Sequence, residues 1–235
     1  LRAGESFAAG AAILLILKPT AEIEEDWLLW QLADSAFPSG GFAHSAGLEA
    51  AWQHGEIRNS AALADFLKSS LRQLGHGSLP FFNAAHESPE RLQELDLHCD
   101  AFLTNHVANR ASRLQGRAFL SSSDKIFKKP QTQAPPCGHL APVFGVVARS
   151  LRLPRFRAGN LFFFQHLRGI VAAAIRLGIV GPLEGQAMQH QLTPVSLAIL
   201  AQCDGLSVAD AAQSSPLFEI WQGTQDRLYS RLFQS

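Results

Sequence analysis

Residues 158–177 read AGNLFFFQHLRGIVAAAIRL, and this stretch decides the fold class. Phe163, Leu167, Ile170, Ala174 and Leu177 recur three or four residues apart. A helix with about 3.6 residues per turn puts them on one stripe. Phe162, Phe164, Val171 and Ile175 widen that stripe well beyond a single edge. A face so broad is covered from several sides, so the stretch predicts a central helix in a helical core.

Working outward, the same period recurs and the alternation of a strand does not. Toward the N-terminus, His139 to Val147 restarts a helix, and residues 105–120 continue the helix before them with Val107, Arg110, Leu114 and Phe119 along it. Between these two, residues 121–138 lose the apolar stripe and carry Pro135, Pro136 and Gly138, which predicts a mobile loop off the main partner surface. Ser88-Pro89-Glu90 opens a helix whose face includes Leu92, Leu95, Cys99, Phe102 and Leu103, and Leu79 to Ala85 forms another. Ser60 is the expected cap of a helix running to Gly75. His44 to Gln53 and Glu22 to Ala33 complete the N-terminal half, separated by an Asp34–Gly41 loop holding Pro38 and a glycine pair. On the C-terminal side, Pro182 starts a helix reaching Gln202 through Pro194. Pro216 leads a last one through Ile220, Trp221, Leu228 and Leu232, with Arg227 and Arg231 sharing one face. The expectation is all-α: a single-domain bundle of about eight to ten helices over residues 26–235, preceded by an N-terminal extension, residues 1–25.

Composition narrows the function. Apolar residues make up 47% of the chain and charged residues 17%; an average soluble domain is roughly 25% charged. A surface so thinly charged suits one covered by a partner. Bases concentrate in residues 105–160, where ten lysines and arginines face Asp124 alone. Prolines break that segment and no aromatic pattern in it supports base stacking, which argues against nucleic acid and leaves steering of an acidic protein. Cys99, Cys137 and Cys203 are few and widely spaced, as in a reducing cytoplasm. The apolar run Gly10 to Leu17 is too short to span a bilayer as a helix, and no membrane association is expected.

Catalytic motifs are missing. The chain has no phosphate-cradling glycine loop, no HExxH and no GxSxG. Asp34, His44 and Ser45 make no convincing triad, because neighbouring side chains on a helix diverge. Cys137-Gly138-His139 brings two metal-binding residue types together, but two ligands hold an ion poorly and a structural zinc needs about four. Weak nickel binding at most, and no dedicated metal or cofactor site, is therefore expected. Arg110 and Arg113 lie on one helix face and suit a carboxylate, either on a partner or inside the chain.

Four blocks carry a family resemblance. Leu29–Glu49 contains Ala36-Phe37-Pro38 and His44-Ser45-Ala46-Gly47-Leu48-Glu49, and a central block reads Val107-Ala108-Asn109-Arg110-Ala111-Ser112-Arg113-Leu114-Gln115-Gly116. Two later blocks are Gly138–Gly145 and Arg227–Ser235. In this order, over about residues 28–235, they resemble the urease accessory protein F family. The resemblance implies an all-helical, non-catalytic adaptor that forms a homodimer and binds the accessory protein D (also called H). It further implies recruitment of the nickel-binding GTPase, accessory protein G, for nickel insertion into apo-urease. Residue by residue it carries over Phe42 and Arg231 to the surface that recruits the GTPase; with His44, Glu49, Arg227, Tyr229 and Phe233 from the same blocks they make the expected partner-binding set. Phe42 stands where relatives often carry Tyr, which keeps a ring and loses a hydroxyl. Gln234 stands where many relatives carry a base. A stand-alone nickel or zinc carrier and a small-molecule enzyme with an unfamiliar site are the competing readings.

Overall fold

The broad apolar stripe of residues 158–177 is buried along most of its length. In a computed structural model, which describes residues 21–128 and 134–235, it forms the middle and end of a helix, Arg155–Arg176. The apolar run at Gly10 to Leu17 lies outside the described residues. Ten α-helices run in chain order among those described: α1 Ala21–Ala33, α2 Leu48–Gln53, α3 Ser60–Gln73, α4 Leu79–Glu87, α5 Leu92–Phe102, α6 His106–Phe127, α7 Leu140–Ser150, α8 Arg155–Arg176, α9 Pro182–Cys203 and α10 Pro216–Thr224. No strand occurs among the described residues. The all-α expectation holds.

The chain divides into two compact units at Phe37/Pro38. In the first, α1 carries Trp27 and Trp30, both exposed, with their rings edge to face at 5.5 Å. The second unit, from Pro38 onward, is a helical bundle. Helix α8 packs against α2, α3, α4, α7 and α9, which makes it the central helix its composition predicts. Where α4, α6, α7 and α8 meet, Phe82, Phe119, Phe144 and Phe162 form a buried ring cluster. Phe119 and Phe144 stack at 4.7 Å, and Phe82 and Phe162 at 5.6 Å. Each such ring pair contributes about 0.5–1.5 kcal/mol beyond its burial.

Two close helix contacts depend on glycine. A Cβ on Gly145 would strike the Phe82 carbonyl oxygen and lie 3.0 Å from the His86 nitrogen, so α7 approaches α4 backbone to backbone. A Cβ on Gly116 would strike the Gly138 carbonyl oxygen and lie 2.7 Å from the His139 carbonyl carbon. Helix α6 is thereby pressed against residues 138–140.

The structure corrects the sequence reading in four places. Asn59, not Ser60, caps α3: its Oδ1 accepts from the Ala62 N–H at 2.9 Å. Helix α2 begins at Leu48 rather than His44, because Ala46 and Gly47 take φ of 53° and 84°. Helix α6 continues to Phe127, so residues 121–127 are helical rather than loop; residues 129–133 of that expected loop lie outside the described residues. Helix α10 stops at Thr224, followed by a 3-10 turn at Gln225–Arg227. Residues 228–235 are not helical, and Arg227 and Arg231 share no helix face.

Candidate functional site: a docked C-terminal segment and a Cys-His-Asp cluster

Helix α2 has an acid in its first turn, Glu49, which is 2% exposed. A buried carboxylate needs hydrogen-bond donors, and Glu49 draws its donors from the far end of the sequence. Gln225 Nε2 donates to it at 2.7 Å, the Leu232 N–H at 2.6 Å and the Phe233 N–H at 3.1 Å. The neighbouring loop adds further bonds. The Gln234 N–H donates to the Ala43 carbonyl at 2.8 Å, and the Ser45 N–H donates to the Ser235 carbonyl. His44 Nδ1 meets Ser235 Oγ. Segment 225–235 therefore lies docked along residues 42–49, the entry to α2. Gly47 admits the end of α10, which leads into the segment: with φ of 84°, a Cβ there would sit 2.8 Å from Gln222 Cγ.

Two charged residues clamp the docked segment. Arg176 at the end of α8 places its guanidinium 3.8 Å from the Phe42 ring centre and 4.3 Å from that of Phe233, and donates to the Phe42 carbonyl at 2.6 Å. Asp226 accepts a two-pronged pair from Arg110 at 3.0 and 2.8 Å and a bond from Arg231 at 2.9 Å. His106 lies 3.3 Å from it. The hydrogen bond from Arg110 holds the Asp226 carboxyl below the usual carboxylate range. Burial, helped by the positive charge of Arg110, lowers the His44 pKa to about 4. His44 is therefore neutral near pH 7.

Of the seven residues expected at a partner surface, five gather here in two roles. Glu49, His44 and Phe233 are buried and hold the segment down. Phe42 is 71% exposed and Arg231 is half-exposed at the surface above them. Tyr229 projects fully into solvent and Arg227 is exposed, beside this cluster rather than in it. Sequence reading missed Arg176, Gln225 and Asp226. Arg110 stood out, and the carboxylate it grips proves to be inside the chain.

A second cluster lies where α5, α6 and the entry to α7 meet. Asp96 on α5 is fully buried, and its carboxylate accepts the backbone N–H groups of Cys137, Gly138 and His139 at 2.7, 2.9 and 2.7 Å. This pins the Cys-Gly-His turn. His139 is fully buried; its Nε2 lies 3.0 Å from Asp100 Oδ1 and its Nδ1 3.1 Å from Ser112 Oγ. The donor atoms of Asp100, Cys137 and His139 all lie within 4.8 Å of one another. Asn109 Nδ2 donates to Asp100 Oδ1 at 2.9 Å, and Arg113 Nη1 stands 3.9 Å away. Burial raises the Cys137 thiol and lowers the His139 imidazole, while hydrogen bonds from Asn109 and His139 lower the Asp100 carboxyl. Asp96 and Asp100 went unnoticed in the sequence because nothing local links α5 to a turn some forty residues later.

Comparison with known proteins adds a family match. The UreF family profile matches residues 57–193. Urease accessory protein F of Arabidopsis thaliana is 36% identical over 225 residues, covering 89% of this chain and 92% of that protein. Urease accessory protein F of Oryza sativa subsp. indica is 34% identical over 219 residues, covering 88% and 84%. An uncharacterized urease accessory protein UreF-like of Schizosaccharomyces pombe is 32% identical over 222 residues, covering 87% and 94%.

Proposed function

We infer that this chain, which belongs to the urease accessory protein F (UreF) family, acts as a non-catalytic adaptor in urease maturation. The match across most of the chain carries this reading and favours it over a stand-alone metal carrier or an enzyme. The family's network comprises accessory protein D/H, the nickel-binding GTPase G and apo-urease, with nickel as the cargo. We read the chain as a homodimer within that network. It acts in the cytoplasm: all three cysteines are free thiols, which suits a reducing compartment. No helix of the described residues is long and apolar enough to cross a membrane.

We assign partner binding to the docked segment and its loop. Glu49, His44 and Phe233 act from beneath, by fixing the segment. Phe42, Arg227, Tyr229 and Arg231 act from the surface, since an aromatic beside arginines suits the desolvated centre of a protein interface. The exposure of Phe42 and Tyr229 in a chain otherwise rich in buried phenylalanine supports this. The test is capture of limiting GTPase by the complex of this chain with its D/H partner. Arg231→Ala leaves folding intact, because its bond to Asp226 is an exposed one. It weakens capture by about 2 kcal/mol, roughly 30-fold. Unchanged capture removes Arg231 from the surface, and no capture by the parent chain removes the adaptor reading.

A further inference from the structure

We propose that Asp100, Cys137 and His139 form a binding site for a borderline divalent transition ion of the zinc and nickel class. This rests on donor geometry and stands apart from the adaptor reading. One soft thiolate, one imidazole and one carboxylate make a donor set suited to such ions and unsuited to magnesium or calcium, which prefer oxygen alone. Metal bonds of about 2.0–2.3 Å require donor atoms roughly 3–4 Å apart. His139 Nε2 and Asp100 Oδ1 are already 3.0 Å apart, and all three donors fall within 4.8 Å, so a small inward turn of the Cys137 side chain completes the set.

The surroundings match a metal centre in two further ways. The turn carrying two of the ligands is fixed by three backbone bonds to the buried Asp96, so ordering it adds little cost on binding. His139 has an outer partner on its other nitrogen, Ser112 Oγ, as ligating histidines almost always do. Without an ion, the Nε2 proton is donated to Asp100. With one, the imidazole proton sits on Nδ1 and is donated to Ser112 Oγ, and Nε2 coordinates. Binding also expels the Cys137 thiol proton to solvent, so the step is ion plus thiol giving metal thiolate plus one proton. Asp100 is partly exposed, which opens the fourth position to water or to a donor on a partner. Three protein ligands with an open position are the arrangement of exchangeable ions rather than of closed structural zinc. Arg113 stands beside Asp100 and opposes the ion's charge.

The experiment is titration of the full chain with cobalt(II), followed by its displacement with zinc(II). We expect one cobalt per chain and an intense near-ultraviolet thiolate-to-cobalt band that zinc abolishes. Cys137→Ser removes the band. Asp100→Asn, at a partly exposed position, keeps the fold and weakens binding by more than the roughly 10–100-fold that loss of an outer partner costs. Arg113→Gln tightens binding, a gain that a purely structural polar cluster does not show. Absence of the band in the parent chain, its survival in folded Cys137→Ser, or unchanged affinity in Asp100→Asn overturns the site.

Discussion

At the scale of single residues, the molecule turns on two buried polar groups, His44 just before α2 and Glu49 in its first turn. Glu49 is the acceptor for three donors from segment 225–235, two of them backbone N–H groups that its removal leaves unsatisfied. Glu49→Ala should cost about 3 kcal/mol, since each orphaned buried donor costs about 1–3 kcal/mol. Thermal unfolding should show this, and hydrogen exchange should show fast amides at Leu232 and Phe233. His44 gives a pH dependence. Its pKa falls from 6.5 unfolded to about 4 folded, so the neutral form is the native one. Its contribution is complete above pH 6.5 and is lost progressively as pH falls toward 4. The loss is on the order of 3 kcal/mol for the full shift. A denaturant midpoint followed from pH 7 to pH 4 should fall, and the fall should be smaller in His44→Gln. Their motif singled out both residues for a partner surface; that they hold segment 225–235 was not legible, because those contacts lie 191 and 183 residues away.

At the scale of elements, the helical period identified most of the helices, while their ends were set by tertiary bonds. Residues 228–235 show helix spacing at Leu228 and Leu232, yet the N–H groups of Leu232 and Phe233 go to Glu49 and that of Gln234 goes to Ala43. In a helix those groups would bond carbonyls four residues back, so docking replaces the helix. The reverse holds for residues 121–127. Ser121-Ser122-Ser123 reads as loop, but Ser123 is buried and the Ser122 hydroxyl donates to the Pro38 carbonyl at 2.8 Å. Contacts outside the element extend α6 beyond its own propensity. Gly116 has an equally non-local reason, the pressing of α6 onto residues 138–140. Gly116→Ala should gain helix propensity and still destabilise the protein by about 1–3 kcal/mol or more through overpacking. The melting temperature should drop, and the amides of Cys137, Gly138 and His139 should lose protection together.

At the scale of the whole molecule, the thin charge noted in the sequence is consistent with a protein that works in an assembly. Sedimentation and light scattering at micromolar concentration should show a homodimer; a strict monomer both alone and with the D/H partner would count against that part of the proposal. The grip of Glu49 on segment 225–235 also has a bearing on how the protein is made. Gln225 follows Glu49 by 176 residues. A ribosome adding about 5–20 residues per second takes roughly 9–35 s to cover that distance. Throughout that interval the carboxylate lacks the three donors that hold the segment, and Arg227, Tyr229, Arg231 and Phe233 have yet to be made. A chain stalled or clipped before this segment therefore leaves Glu49 without these partners, and the docked segment acts as a seal that only translation through residue 233 can set.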